Sequence, residues 1–61
     1  MKRRDLVRHL EKHGCIVDRE GARHTIYWNP AAGIAAAVPR HREIKELVAR
    51  AICDQLRVPR P

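Results

Sequence analysis

The sequence predicts an α+β domain in the order α-β-β-β-α, with a three-stranded antiparallel sheet and both helices on one of its faces. Two segments, Arg4–His13 and Arg42–Leu56, place apolar residues at helical spacing. Between them lie three short runs bounded by Gly, Pro or Asn, the punctuation of strands joined by turns. The chain has 61 residues, enough for one domain and one small core, so helices cannot cover both faces of the sheet.

The first helix carries Leu6, Val7 and Leu10 on one stripe, while Arg4, Arg8, Glu11 and Lys12 face water. Asp5 near its start and Lys12 and His13 near its end complement the helix dipole, and Gly14 supplies the left-handed residue that closes many helices. Cys15-Ile16-Val17 opens a strand that runs toward Arg19, and Glu20-Gly21-Ala22 reads as a turn. His24–Trp28, rich in β-branched and aromatic residues, is the clearest strand. Alternation places His24, Ile26 and Trp28 on one face and Thr25 and Tyr27 on the other, without saying which face meets the helices. Asn29–Gly33 is a loop fixed by Pro30 and relaxed by Gly33. Ile34–Val38 suits helix or strand by propensity, but its length between Gly33 and Pro39 favours a strand in a hairpin with the previous one. Ile44, Leu47, Val48, Ala51, Ile52 and Leu56 form the apolar face of the second helix, and Val58–Pro61 is expected to fray. This element order is the layout of double-stranded-RNA-binding folds, an analogy that does not establish function.

Thirteen Lys and Arg against seven Asp and Glu give a formal charge of +6, and ten of the thirteen are arginines, which match phosphate in a bidentate fork. Nucleic acid is the expected polyanionic partner; the alternative is a basic surface that only solubilises. No stretch is apolar enough to span a membrane, and no membrane partner is expected. With no Phe, one Trp and one Tyr, the core leaves little room for a deep pocket, so a shallow site for a polymeric substrate is expected. No apolar leader precedes Lys2-Arg3-Arg4, so a cytoplasmic protein with Cys15 and Cys53 as reduced, buried thiols is expected. His9 and His13, four apart with Cys15 nearby, have a spacing that can hold zinc. Leu10 stands where the metalloprotease motif needs Glu, so a solvated helix face is preferred and no metal or cofactor is expected.

His24 lies beside Arg19 and Arg23 in sequence. An imidazole is the commonest general base, and a base among cations is what cleavage of a phosphodiester requires. An ordinary surface histidine of a basic protein satisfies the same residues. Leu6–Gly14, the Gly-x-x-His-x-x-Tyr-x-x-Pro run from Gly21 to Pro30, and Val38-Pro39-Arg40-His41 follow one another in order. On these segments the sequence resembles, over nearly the whole length, the HicA family, small toxins of type II toxin–antitoxin pairs, and residues 1–61 are expected to form a single domain of that kind. It departs from the family where Ala22 and Arg23 both stand between the glycine and the histidine, and where Cys15 replaces a frequent aromatic.

The resemblance implies a ribosome-independent endoribonuclease acting on messenger RNA, silenced by a HicB-type antitoxin, with His24 as catalytic residue. RNA carries its own 2′-OH nucleophile, so cleavage needs a base, cations for the phosphorane and an acid for the leaving oxygen, and no metal. His24 is the expected base; Arg19, Arg23 and Arg40 are candidates for phosphate; Tyr27 and His41 are weak candidates for the acid. For His41 a structural or phosphate-binding role is favoured, and Tyr27 or Trp28 can stack on bases. The competing reading is a non-catalytic RNA-binding module using the same surface. A DNA-binding regulator fits less well, because neither helix pair reads as helix-turn-helix. The free chain is expected to be a monomer.

Overall fold

A computed structural model describes residues 1–61. Its elements are α1 (Arg3–Lys12), β1 (Ile16–Glu20), β2 (His24–Asn29), β3 (Ile34–Pro39) and α2 (Glu46–Leu56), the expected α+β order. The sheet is antiparallel throughout, with β2 central between β1 and β3. Gly14 follows α1 at φ +87, the left-handed conformation that its lack of a Cβ makes inexpensive.

Register decides which side chains share a face. Thr25 lies opposite Glu20 and Val38, Tyr27 opposite Val17 and Ala36, and Asn29 opposite Ile34. Thr25, Tyr27, Ala36 and Val38 are buried and form the helix-covered face. Leu6 and Leu10 of α1, and Ala49, Ile52, Cys53 and Leu56 of α2, close over it, joined by Cys15, Ile44 and Val58. On the other face the rows are Ile16–Trp28–Ala35, Arg19–Ile26–Ala37 and His24–Pro39. No helix covers that face. Along β1 every side chain is exposed, and a bulge at Asp18 with the charges of Arg19 and Glu20 blunts this edge against pairing with another chain.

Polar groups fix how the helices meet the sheet. Arg3 Nη2 donates to the buried Thr25 Oγ1 at 2.9 Å, and Arg3 Nε donates to the Pro39 carbonyl at 2.8 Å. The Thr25 hydroxyl in turn donates to Glu20 Oε1 at 2.7 Å, and Arg40 Nη2 meets the same oxygen at 2.7 Å. At the far end of the sheet, Asn29 Nδ2 donates to the Leu56 carbonyl at 2.7 Å, satisfying one of the carbonyls that a helix end leaves unpaired. Asn29 Oδ1 accepts from the Ala31 amide, which shapes the turn into β3.

Three expectations need correction. The second helix starts at Glu46 rather than Arg42, because residues 42–44 run extended and pair with the N-terminal segment. Arg3 N donates to Arg42 O, and Ile44 N donates to Met1 O, each at 2.8 Å. Ile44 therefore reaches the core from an extended segment, and α2 is turned so that Leu47 is 76% exposed and Val48 39% exposed. The C-terminal residues do not fray. Arg57 adopts a left-handed φ of 58, Val58 N donates to Cys53 O, and Arg60 grips Asp54 through both carboxylate oxygens at 2.9 and 3.0 Å. His9 Nε2 donates to Pro59 O at 2.6 Å, and its ring packs edge-on against His13 at 4.7 Å. The His9–His13 pair is thus a half-buried clasp for the tail, not a solvated face.

Thr25→Val keeps shape but removes the acceptor of Arg3, so a loss of about 1–3 kcal/mol is expected from urea denaturation. The hydroxyl of Thr25, and after it Arg40, hold the Glu20 carboxyl below the usual carboxylate range. A depressed folded pKa stabilises above the ordinary value of 4.5, and the contribution fades as pH falls from there through the folded value. Glu20→Gln is therefore expected to show a shallower loss of stability across that acidic window than the parent chain.

Candidate active site

His24 opens β2 directly after the Gly21–Arg23 connection. That connection is closed by Gly21 N donating to His24 O at 2.8 Å, and a Cβ at residue 21 would lie 3.1 Å from the same oxygen. A side chain here would crowd that carbonyl, so glycine eases the close approach of backbone to backbone at the start of β2. The His24 side chain is exposed on the uncovered face. Its ring makes no hydrogen bond within the chain, which leaves both nitrogens available to a ligand.

A shallow depression of about 520 Å³ surrounds it, lined by Arg19, Gly21, Ala22, Arg23, Ile26 and Ala37 with Glu20 at the rim. Arg19 stands opposite Ile26 on the His24 face, and Arg23 immediately precedes His24, so two of the three expected phosphate ligands share its depression. The short side chains of Ala35 and Ala37 keep the surface open beside Trp28 and Ile26. Trp28 is half-buried on this face, four residues or about 14 Å from His24 along β2. A flat apolar strip ending in an imidazole and two guanidiniums suits an extended polyanion with unpaired bases better than a small metabolite.

The remaining expected site residues lie elsewhere. Arg40 turns to the rim of the helix-covered side, where it holds Glu20 and donates through Nη1 to the Ala22 carbonyl at 3.2 Å. It braces the connection that carries Arg23 and His24. Tyr27 is 4% exposed in the core beneath the helices, which removes it both as a base-stacking surface and as an acid for His24. Burial pushes its phenol up, so it stays protonated. His41 is exposed and lines a different depression, beside Pro39, Ile44 and Val48. Glu20 is kept ionised by Thr25 and Arg40 and is not an acid at neutral pH. His24 is left as the one side chain of its depression suited by type to move a proton near neutral pH.

A family model described as the HicA toxin of bacterial toxin–antitoxin systems matches residues 3–58. The chain belongs to the HicA toxin family. The matched span runs from the first residue of α1 to the buried Val58, and so takes in every element of the fold. No curated protein and no solved structure matches the chain. As a HicA-family toxin it belongs to a toxin–antitoxin system, and a cognate antitoxin is its partner. No helix of this HicA toxin is long and apolar enough to cross a membrane.

What sequence reasoning missed is the bracing role of Arg40 and the cluster of Lys2, Arg4 and Arg42 close to it. The signal was present as basic residues near both the N-terminus and β3, but only the pairing of residues 1–3 with 42–44 brings them together.

The chain has a single tryptophan, so its emission reports on the open face alone. Single-stranded RNA is expected to quench it, and Trp28→Ala is expected to weaken binding by about 1–3 kcal/mol if one base stacks there. Fluorescence titration of the parent chain and anisotropy of labelled RNA with the variant measure both.

Proposed function

We propose that this toxin is a ribosome-independent endoribonuclease that cleaves messenger RNA in the cytoplasm, with His24 as general base. One observation carries the reading: His24 stands on the uncovered sheet face with Arg19 and Arg23 lining its depression. In this reading His24 removes the 2′-OH proton, and the freed oxygen attacks the adjacent phosphorus. Arg19 and Arg23 stabilise the charge that develops on the phosphorane. The 5′ oxygen leaves with a proton, and the 2′ oxygen stays bonded to phosphorus as a 2′,3′-cyclic phosphate. With Tyr27 in the core and His41 lining a different depression, the acid comes from solvent or from His24 itself after it has taken up the first proton.

The α-β-β-β-α layout shared with double-stranded-RNA-binding folds supports RNA as the substrate by analogy. The partner is taken to be a HicB-type antitoxin that covers the open face, and the excess of cations favours an acidic contact surface on it.

His24→Ala is expected to lower the cleavage rate by about 10²-fold or more while RNA affinity changes less than threefold. Product analysis is expected to show 2′,3′-cyclic phosphate ends, and cleavage is expected to survive a chelator. A 3′-hydroxyl product, or full cleavage by the alanine variant, overturns the assignment. Were the chain a non-catalytic RNA-binding module, the parent protein would bind the same RNA and leave it intact.

A further inference from the structure

A second cationic concavity lies around the corner from His24. It has a volume of about 520 Å³, sits between the start of α1 and the segment after β3, and is lined by Lys2, Arg3, Arg4, Arg40, Arg42 and Glu43. Two of its five cations are committed within the fold: Arg3 holds Thr25 and Pro39, and Arg40 holds Glu20 and Ala22. Lys2, Arg4 and Arg42 are exposed, and their side chains form neither an ion pair nor a hydrogen bond within the chain. The one carboxylate in the lining, Glu43, lies 3.6 Å from the amino group of Met1. Three unpaired cations converging in one concavity repel each other and concentrate positive potential, an arrangement that an anion relieves. Two arginine forks favour phosphate over a lone carboxylate, because each presents parallel N–H donors to its oxygens.

Arg40 connects this concavity to the candidate active site. Its side chain lines the cleft, while its guanidinium bonds the carbonyl of Ala22, which lines the His24 depression. A single phosphate would occupy only one of the two concavities. A polynucleotide can place one phosphate at His24 and others in the cleft.

We propose that Lys2, Arg4 and Arg42 form a second backbone-phosphate site, which anchors the same RNA chain away from the scissile bond. This rests on the nuclease reading for its substrate, but binding can be measured without cleavage. The probe is a fluorescein-labelled, fully 2′-O-methylated single-stranded oligonucleotide, which lacks the attacking hydroxyl and stays intact. Its affinity is measured by anisotropy across a salt series for the parent chain, for R4Q/R42Q, and for R50Q/R57Q. The last pair removes the same charge from exposed positions in and after α2.

R4Q/R42Q is expected to weaken binding about tenfold and to reduce the slope of log K against log salt by about 1.4, or 0.7 per lost phosphate contact. R50Q/R57Q is expected to change both much less. Unchanged affinity and slope in R4Q/R42Q overturn the site, as does an equal effect from R50Q/R57Q, which would mean that net charge alone is being read. A defect confined to binding of the antitoxin also overturns it, by making the cleft a protein-docking surface. A parent chain that binds the probe through the cleft but cleaves no RNA would refute the nuclease reading and leave the phosphate site standing.

Discussion

The hydroxyl of Thr25 joins parts of the chain that are far apart in sequence, and the placement of His24 depends on that junction. It accepts from Arg3 at the start of α1 and donates to Glu20 at the end of β1. Glu20 is shared with Arg40, which reaches on to the carbonyl of Ala22. A buried hydroxyl without partners would be costly, whereas here it is satisfied and its neighbours are fixed by satisfying it. Arg3 also holds Pro39, the residue opposite His24, so the first turn of α1 and the start of β2 are set relative to each other. In a chain of 61 residues with little core to spare, this polar knot does positioning that apolar packing would do in a larger domain.

A sheet with one covered face and one open face follows from that arrangement. The candidate base, His24, opens the central strand, a more rigid support than a loop tip, while Arg19 comes from the edge strand β1 and Arg23 from the short connection between them. Positive charge is spread from Arg19 and Arg23 past Arg40 to Arg42 and Arg4, around one end of the sheet. A toxin built this way has a broad cationic surface rather than a deep pocket. On the proposed reading, an antitoxin that covers that surface with opposite charge would silence it, and electrostatic attraction would speed the encounter.

Element order and the two glycine-bounded connections were legible in the sequence because turn chemistry and apolar periodicity are local. The face of β2 that meets the helices was not. Hydrophobicity favours burying Ile26 and Trp28, yet the structure buries Thr25 and Asn29, whose polar groups find Arg3, Glu20 and the end of α2. Such partners are set by tertiary contact and leave no periodic trace. The start of α2 was hidden for the same reason. The apolar pattern from Ile44 to Leu56 is continuous, and only pairing with residues 1–3 pulls Ile44 out of the helix. Of the candidate site, His24 was singled out by residue type and by the family resemblance, and Arg19 and Arg23 by charge and nearness in sequence alone; the bulge at Asp18 that turns Arg19 to the His24 face leaves no signal in the sequence. The bracing of Arg40 was not readable, because sequence shows a charge and not the carboxylate and carbonyl that it holds.

On the proposed reading, the uncovered face of the sheet is the surface that meets RNA. Backbone amide shifts of the ¹⁵N-labelled toxin, followed as a 2′-O-methylated oligonucleotide is added, test it most directly. Shifts at Arg19, Arg23, His24, Ile26 and Ala37, joined by those of Lys2, Arg4 and Arg42, with the exposed Leu47, Val48 and Ala51 of α2 unmoved, are expected. Shifts confined to α2, with the amides around His24 unchanged, would contradict it.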